Sequence, residues 1–292
     1  MKKIAVIGSR GQLGQYLCDQ LKKYAEQFFV VELSRDELDL ENVDQISNVL
    51  SEYLPDIVIN SSAYTAVDKA ESEPDLANII NNQASEAIAK FCASHLIPFI
   101  HFSTDYVFAG DADTPYEEND PTNPQGEYGK SKLAGENAVM QTGAQAYIFR
   151  TAWVYSQRGA NFFKTMLRLA ESKSELNIVD DQLGAPTYAA NIAEATIKIT
   201  QDLLSGQQFP PGIYHMTSSG IASWAEFARQ IFDECEITIQ VNGISTSEYP
   251  TPAKRPAYSV LSNQKLKSVF NIELPSWQES LNQCVNELSS DA

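Results

Sequence analysis

The sequence predicts an α/β protein: a Rossmann-like, doubly wound parallel sheet with a smaller α+β substrate-binding lobe. Three observations carry this. The chain opens on a short apolar run, Ile4-Ala5-Val6-Ile7, which leads directly into Gly8-Ser9-Arg10-Gly11-Gln12-Leu13-Gly14. Apolar runs and helical periodicities then alternate as βαβαβ over residues 1–150, the predicted NAD(P)-binding domain. Hydroxyl, acidic and aromatic residues gather just beyond those runs, at the strand ends where such sheets bind ligands.

Taken in order, Ile4 to Ile7 reads as a buried parallel strand because it is apolar without alternation. Gly8, Gly11 and Gly14 allow a tight turn close to a pyrophosphate, and the helix start offers free N–H groups. Leu13, Leu17 and Leu21 give that helix a buried face. Phe28 to Leu33 is the second strand, ending in Glu32-Leu33-Ser34-Arg35, where the fold reads the adenosine ribose. A carboxylate at Glu32 suits the ribose hydroxyls of NADH, whereas Arg35 suits the 2′-phosphate of NADPH, and the conflict predicts use of both cofactors with a preference below about tenfold. Asp39-Leu40 is expected near the adenine. Asp56 to Asn60 is a third strand, and Ser61-Ser62-Ala63-Tyr64-Thr65 leaves its end on the cofactor side. Ala77 to Leu96 is apolar at helical intervals, with Asn81 and Asn82 expected on the helix surface. Pro98 to Phe102 is a strand with Ser103-Thr104-Asp105 at its end. The loop from Ala109 to Glu127 is long enough to be a rim or lid. A helix starting near Tyr128 precedes the strand Tyr147 to Arg150, which ends in Thr151-Ala152-Trp153.

The chemistry centres on Tyr128-Gly129-Lys130-Ser131-Lys132. On a helix, Tyr128 and Lys132 share a face. A phenol titrates near 10, and a neighbouring ammonium lowers that value by favouring the phenolate. With the Thr104 hydroxyl on the same oxygen, the set can move a proton in a carbonyl–alcohol interconversion. A plain solvated helix face is the competing reading of Tyr and Lys at this spacing. The glycine motif and the strand-end hydroxyls upstream weigh against it.

The second half is less regular. Residues 151–292 are expected to form mainly the substrate-binding lobe, with segments of about 162–190 and 223–245 returning to the first domain. Lys254 and Arg255 lie in a proline-stiffened stretch, Tyr249 to Pro256, and suit a clamp on a phosphate. The formal net charge of −17 argues against a nucleic-acid or anionic-membrane partner. Cys18, Cys92, Cys235 and Cys284 are widely spaced and fit reduced thiols, and the apolar run after Met1-Lys2-Lys3 is too short for a signal peptide. The expected location is cytoplasmic.

The glycine motif, Ser103-Thr104 and Tyr128…Lys132 resemble the extended short-chain dehydrogenase/reductase family. Ala66-Val67-Asp68-Lys69-Ala70-Glu71, Ser103-Thr104-Asp105-Tyr106-Val107-Phe108, Tyr128 to Glu136, Phe149 to Tyr155 and Arg255-Pro256 resemble its dTDP-4-dehydrorhamnose reductase branch, over nearly the whole chain. The resemblance implies reduction of the 4-keto group of a dTDP-6-deoxyhexulose by NADPH or NADH, for cell-surface polysaccharide. It implies Tyr128 as general acid, Lys132 as its tuner and ribose anchor, and Thr104 as carbonyl orienter. It further implies sugar contacts from Thr104, Asp105 and Trp153, and a pyrophosphate cradle of Gly11, Gln12 and Leu13. Some members form homodimers through magnesium held by glutamates. The matching positions here include Gln15 and Ala190, neither of them acidic, so no such metal site is expected. Two alternatives stay open at this point: a sugar-nucleotide dehydratase or epimerase, and a non-catalytic relative like the regulatory subunit of methionine adenosyltransferase.

Overall fold

The structure, a computed structural model, describes residues 1–290. The first half runs β1 (Lys2–Ile7), α1 (Gln12–Lys22), β2 (Phe28–Leu33), α2 (Ile46–Tyr53), β3 (Ile57–Asn60), α3 (Val67–Ala70), α4 (Pro74–Asn78), α5 (Ala84–His95), β4 (Phe99–Thr104), α6 (Glu127–Gln141) and β5 (Ala146–Thr151). The second half adds β6 (Val154–Tyr155), α7 (Phe162–Ala170), β7 (Glu175–Val179), β8 (Leu183–Gly184), β9 (Thr187–Tyr188), α8 (Ala189–Leu204), β10 (Gly212–His215), β11 (Ala222–Ser223), α9 (Trp224–Glu234), β12 (Gln240–Ile244), α10 (Gln264–Phe270) and α11 (Trp277–Ser290).

Six parallel strands form the central sheet in the order β2-β1-β3-β4-β5-β10. The chain moves outward from β1 to β2, then returns to place β3 on the other side of β1. That reversal opens a crevice beyond the carboxyl ends of β1 and β3. Both faces of the sheet are buried, which explains the unbroken apolar runs. Ile4 and Val6 pack with Leu17 and Leu21 of α1 and Ile192 of α8. Ala5 and Ile7 face the opposite way, toward Leu50 of α2 and Ile88 of α5. β10 pairs with β5 from Gly212↔Tyr147 to His215↔Arg150, so the second half of the chain supplies an edge of this sheet. The remaining strands form two-residue to five-residue pairs, β7 with β12, β8 with β11 and β6 with β9.

The segment predicted as one helix over Ala77 to Leu96, with Asn81 and Asn82 on its surface, differs. Between α4 and α5 the residues Ile79–Gln83 form a π-helical turn. The wider turn rotates Asn81 inward, and it is buried rather than exposed. Its Oδ1 accepts the Tyr64 N–H at 2.9 Å, and its Nδ2 donates to the Tyr64 carbonyl at 3.1 Å and to Ser131 Oγ at 2.9 Å. One amide thus joins the loop after β3 to the helix that carries Tyr128.

A buried ion pair fixes the other end of α6. Arg150 of β5 donates to Glu136 through Nε at 2.9 Å and Nη2 at 2.7 Å, and both side chains are almost fully enclosed. Removing one partner strands the other charge away from water. Glu136→Ala should therefore lower stability by about 3–5 kcal/mol, read as a shift of the urea midpoint at unchanged slope. An unchanged midpoint would mean that the Phe108 ring and the Glu118 carbonyl suffice to hold the guanidinium.

Candidate active site

The crevice is a cleft of about 590 Å³. Its floor is the glycine turn. Gly8 has φ +81°, and a Cβ there would lie 2.8 Å from the Ser62 backbone nitrogen. Gly14 does not line the cleft. A Cβ on it would come within 2.0 Å of the Gly8 carbonyl, so its role is close packing of α1 against the turn. Gly11, Gln12 and Leu13 do line the cleft, at the start of α1 where free N–H groups point outward. Ala63 and Thr65 line it from the loop after β3. Tyr64 does not; its hydroxyl donates to Glu73 at 2.5 Å, and its backbone is held by Asn81. The floor therefore fits a dinucleotide pyrophosphate.

The ribose end departs from expectation. Alternation along β2 turns Glu32 toward α1, where it pairs with Lys22 at 2.7 Å, outside the cleft. Leu40 is core, packed behind the sheet, and Asp39 accepts the Glu41 N–H at 3.1 Å. Neither lines the cleft. The residues that do are Arg10, Ser34 and Arg35. Arg10 pairs with Asp36, and Arg35 pairs with Glu41 and reaches Asp39 at 3.6 Å. Arg10 sits inside the glycine motif, a position the sequence pattern marks for backbone rather than side-chain work.

Thr104, Asp105, Tyr106, Tyr128 and Lys132 meet at the centre. Thr104 ends β4, and its Oγ1 donates to Asp105 Oδ1 at 2.9 Å while accepting the Tyr106 N–H at 3.2 Å. Burial pushes the Tyr128 phenol above its ordinary value, with a hydrogen bond to Thr104 acting against that rise. Lys132 is 2% exposed, and its Nζ donates to the Phe102 carbonyl at 2.6 Å. Burial pushes this ammonium down to about 8. The expected lowering of Tyr128 by Lys132 is thus not the pattern found: desolvation governs the phenol and keeps it protonated.

Two tryptophans wall the far side. Trp153 sits at φ +47°, a region that bulky residues seldom adopt. It is held there by face-to-face stacking on Trp224, with centroids 3.4 Å apart, and by Gly184, whose missing side chain leaves room for its ring. Phe162 closes the wall at 4.7 Å from Trp224. Trp224, Phe162 and Asn161 line the cleft and were not anticipated as site residues; the aromatic types at two helix starts were the available signal. Lys254 and Arg255 stand outside the lining. Arg255 binds Asp68 at 2.7 Å and the Tyr106 hydroxyl at 3.3 Å, and Lys254 donates to Gln125 at 3.2 Å. Arg255 is committed to α3 and touches the cleft only through Tyr106, so a phosphate would have to displace Asp68 to engage it.

Asp105 carries a stability cost. It is 3% exposed, its Oδ2 lacks a hydrogen-bond partner, and burial pushes its carboxyl up to about 6 from an ordinary 3.8, against the Ser259 and Thr104 hydroxyls. The native state therefore holds this proton more tightly than the unfolded chain. Below about pH 4 both states are protonated and the difference vanishes; stability falls as pH rises toward 6 and the loss is complete above it. Asp105→Asn should raise stability by on the order of 2 kcal/mol at pH 7 and by little at pH 4, measured by urea unfolding at both values. Equal effects at the two values would contradict this.

Comparison with known proteins gives the chain its family. A family model described as the RmlD substrate binding domain matches residues 1–290. A dTDP-4-dehydrorhamnose reductase of Sinorhizobium fredii is 45% identical, covering 97% of this chain and 96% of its own. One of Burkholderia thailandensis is 43% identical, covering 99% of each. The crystal structure of the Bacillus anthracis dTDP-4-dehydrorhamnose reductase in complex with NADP superposes with a TM-score of 0.91 at 36% identity, covering 98% of this chain and 100% of that one. A glycine turn at the sheet reversal, with threonine, tyrosine and lysine converging above it, thus comes with near full-length similarity, and the chain belongs to the RmlD substrate-binding-domain family.

Proposed function

We propose that this chain reduces the 4-keto group of dTDP-4-dehydro-β-L-rhamnose to give dTDP-L-rhamnose, the last step in making that sugar nucleotide. The observation that carries the reading is the Thr104–Tyr128–Lys132 set above the nucleotide cleft, in a chain up to 45% identical to reductases of that name. When bound, a reduced nicotinamide supplies the hydride to C4. Tyr128 is kept protonated by its surroundings and gives its phenolic proton to the oxygen that gains charge. Thr104 orients the same oxygen as its hydroxyl turns from Asp105. Lys132, pinned on the Phe102 carbonyl, serves as ribose anchor. Trp153, Trp224 and Phe162 offer an apolar wall to the sugar and exclude water.

The buried free thiols Cys18, Cys92 and Cys284 suit a reducing compartment, and the cytoplasm is the location we favour. No helix among the described residues is long and apolar enough to cross a membrane.

The reaction is tested by following reduced-cofactor consumption with the keto sugar nucleotide, using other nucleotide sugars as controls. Protein that binds both ligands but oxidises no cofactor would overturn the reading. Tyr128→Phe should lower kcat by roughly 10²–10⁴-fold with little change in KM. Activity within a few-fold of wild type would assign the proton to another group.

Cofactor choice follows from the ribose end. With Glu32 turned away and Arg10 and Arg35 in the lining, NADPH should be preferred over NADH. The expected kcat/KM ratio exceeds about tenfold, the share of one hydrogen bond to a charged group. Arg35→Ala should shrink it. A ratio favouring NADH would show that the ion pairs to Asp36 and Glu41 neutralise both guanidinium groups.

A further inference from the structure

The geometry points to Glu71 as a positioning residue for the catalytic helix, an inference that rests on Tyr128 acting from α6. The N-cap residue of α6 is Gly126, which has no side chain to satisfy the first amides. Its backbone is extended, φ −137° and ψ 167°, the conformation in which serine, threonine or aspartate normally caps a helix. The missing acceptor comes from 56 residues upstream, where Glu71 Oε1 takes the Glu127 N–H at 2.9 Å. The carboxylate occupies the space that a capping side chain would need: a Cβ on Gly126 would lie 2.7 Å from that same oxygen. It also places negative charge at the positive end of α6.

The segment around Glu71 holds other residues that stand behind the cleft lining. Asp68 takes the Arg255 guanidinium and the Ala253 N–H, and Glu73 takes the Tyr64 hydroxyl. Glu71 is the member of this group aimed at the catalytic element. Tyr128 is the second residue of α6, so fraying of the first turn displaces its ring directly. Lys132 lies a turn deeper and is pinned by Phe102. Loss of the cap should therefore reach proton donation before it reaches cofactor binding.

The test is a four-variant set. Glu71→Ala should lower kcat about fivefold, the usual scale of a lost N-cap, with the KM for NADPH nearly unchanged. Glu71→Gln keeps an acceptor and should recover most of the loss. Gly126→Ser alone should stay near wild type, because the carboxylate that its Cβ meets is the end of a flexible, exposed side chain that can swing away while the serine takes over the cap. In Glu71→Ala/Gly126→Ser the serine can accept the Tyr128 or Gly129 N–H and cap the helix itself, so the double variant should outperform Glu71→Ala. Exchange of the Glu127 amide with solvent, followed by NMR, reads the Glu71 bond without reference to turnover: faster in Glu71→Ala, near wild type in Glu71→Gln. A double variant no better than Glu71→Ala, or Glu127 exchange unaffected by Glu71→Ala, would overturn the inference. If the wild-type protein turns over no keto sugar, the proposed reaction fails, while the exchange data still decide the cap.

Discussion

The contact on which the site depends is the hydrogen bond from the buried Lys132 ammonium to the Phe102 carbonyl. It spans α6 and β4, the two elements that carry Tyr128 and Thr104. A buried ammonium without a partner would be expensive, so this bond makes one approach of helix to sheet much better than its neighbours. Small residues let the approach happen. Gly129 lies against the Tyr106 carbonyl and Gly135 against the Asn81 carbonyl, each so close that a Cβ would be within 2.3 Å. With α6 seated there, the Tyr128 and Tyr106 rings meet edge to face at 5.6 Å, and the phenol faces the Thr104 hydroxyl.

The same burial sets the electrostatics. It moves Tyr128 up, Lys132 down to about 8 and Asp105 up to about 6, and each shift favours the neutral form. Three neighbouring groups pushed this way, in a cleft at a sheet reversal, mark a site built for proton handling rather than for stability. Desolvation is also what would strengthen their interaction with charge developing on a substrate oxygen. The chain as a whole is strongly acidic, at a formal −17, yet the glycine-turn end of the cleft is lined by Arg10 and Arg35. Local cations in an acidic protein are informative because the background charge opposes the ligand they would bind.

Much of this was legible in the sequence, and the gaps have physical causes. Strands β1, β3 and β4 were readable because burial on both faces demands unbroken apolar runs. Tyr128 and Lys132 were readable because i, i+4 spacing on a helix forces a shared face. Glu32 was misread because position along a strand does not say which face a side chain takes until register is known. Asn81 was misread because a π-helical turn breaks the periodicity that assigned it to the surface. The partnership of Arg255 with Asp68 spans 187 residues, and that of Trp153 with Trp224 joins two halves of the chain. Such contacts come from the tertiary fold, and no local pattern announces them.

In the proposed reaction the cleft delivers hydride to C4 of a keto sugar while Tyr128 supplies the proton. The most direct measurement is the fate of deuterium from NADPH labelled at the reactive C4 position of the nicotinamide. One deuterium is expected at C4 of the sugar product, with one oxidised cofactor released per product formed. Product without deuterium at C4, or cofactor returned to its reduced state at the end of each turnover, would contradict it and assign the site to a different sugar-nucleotide reaction.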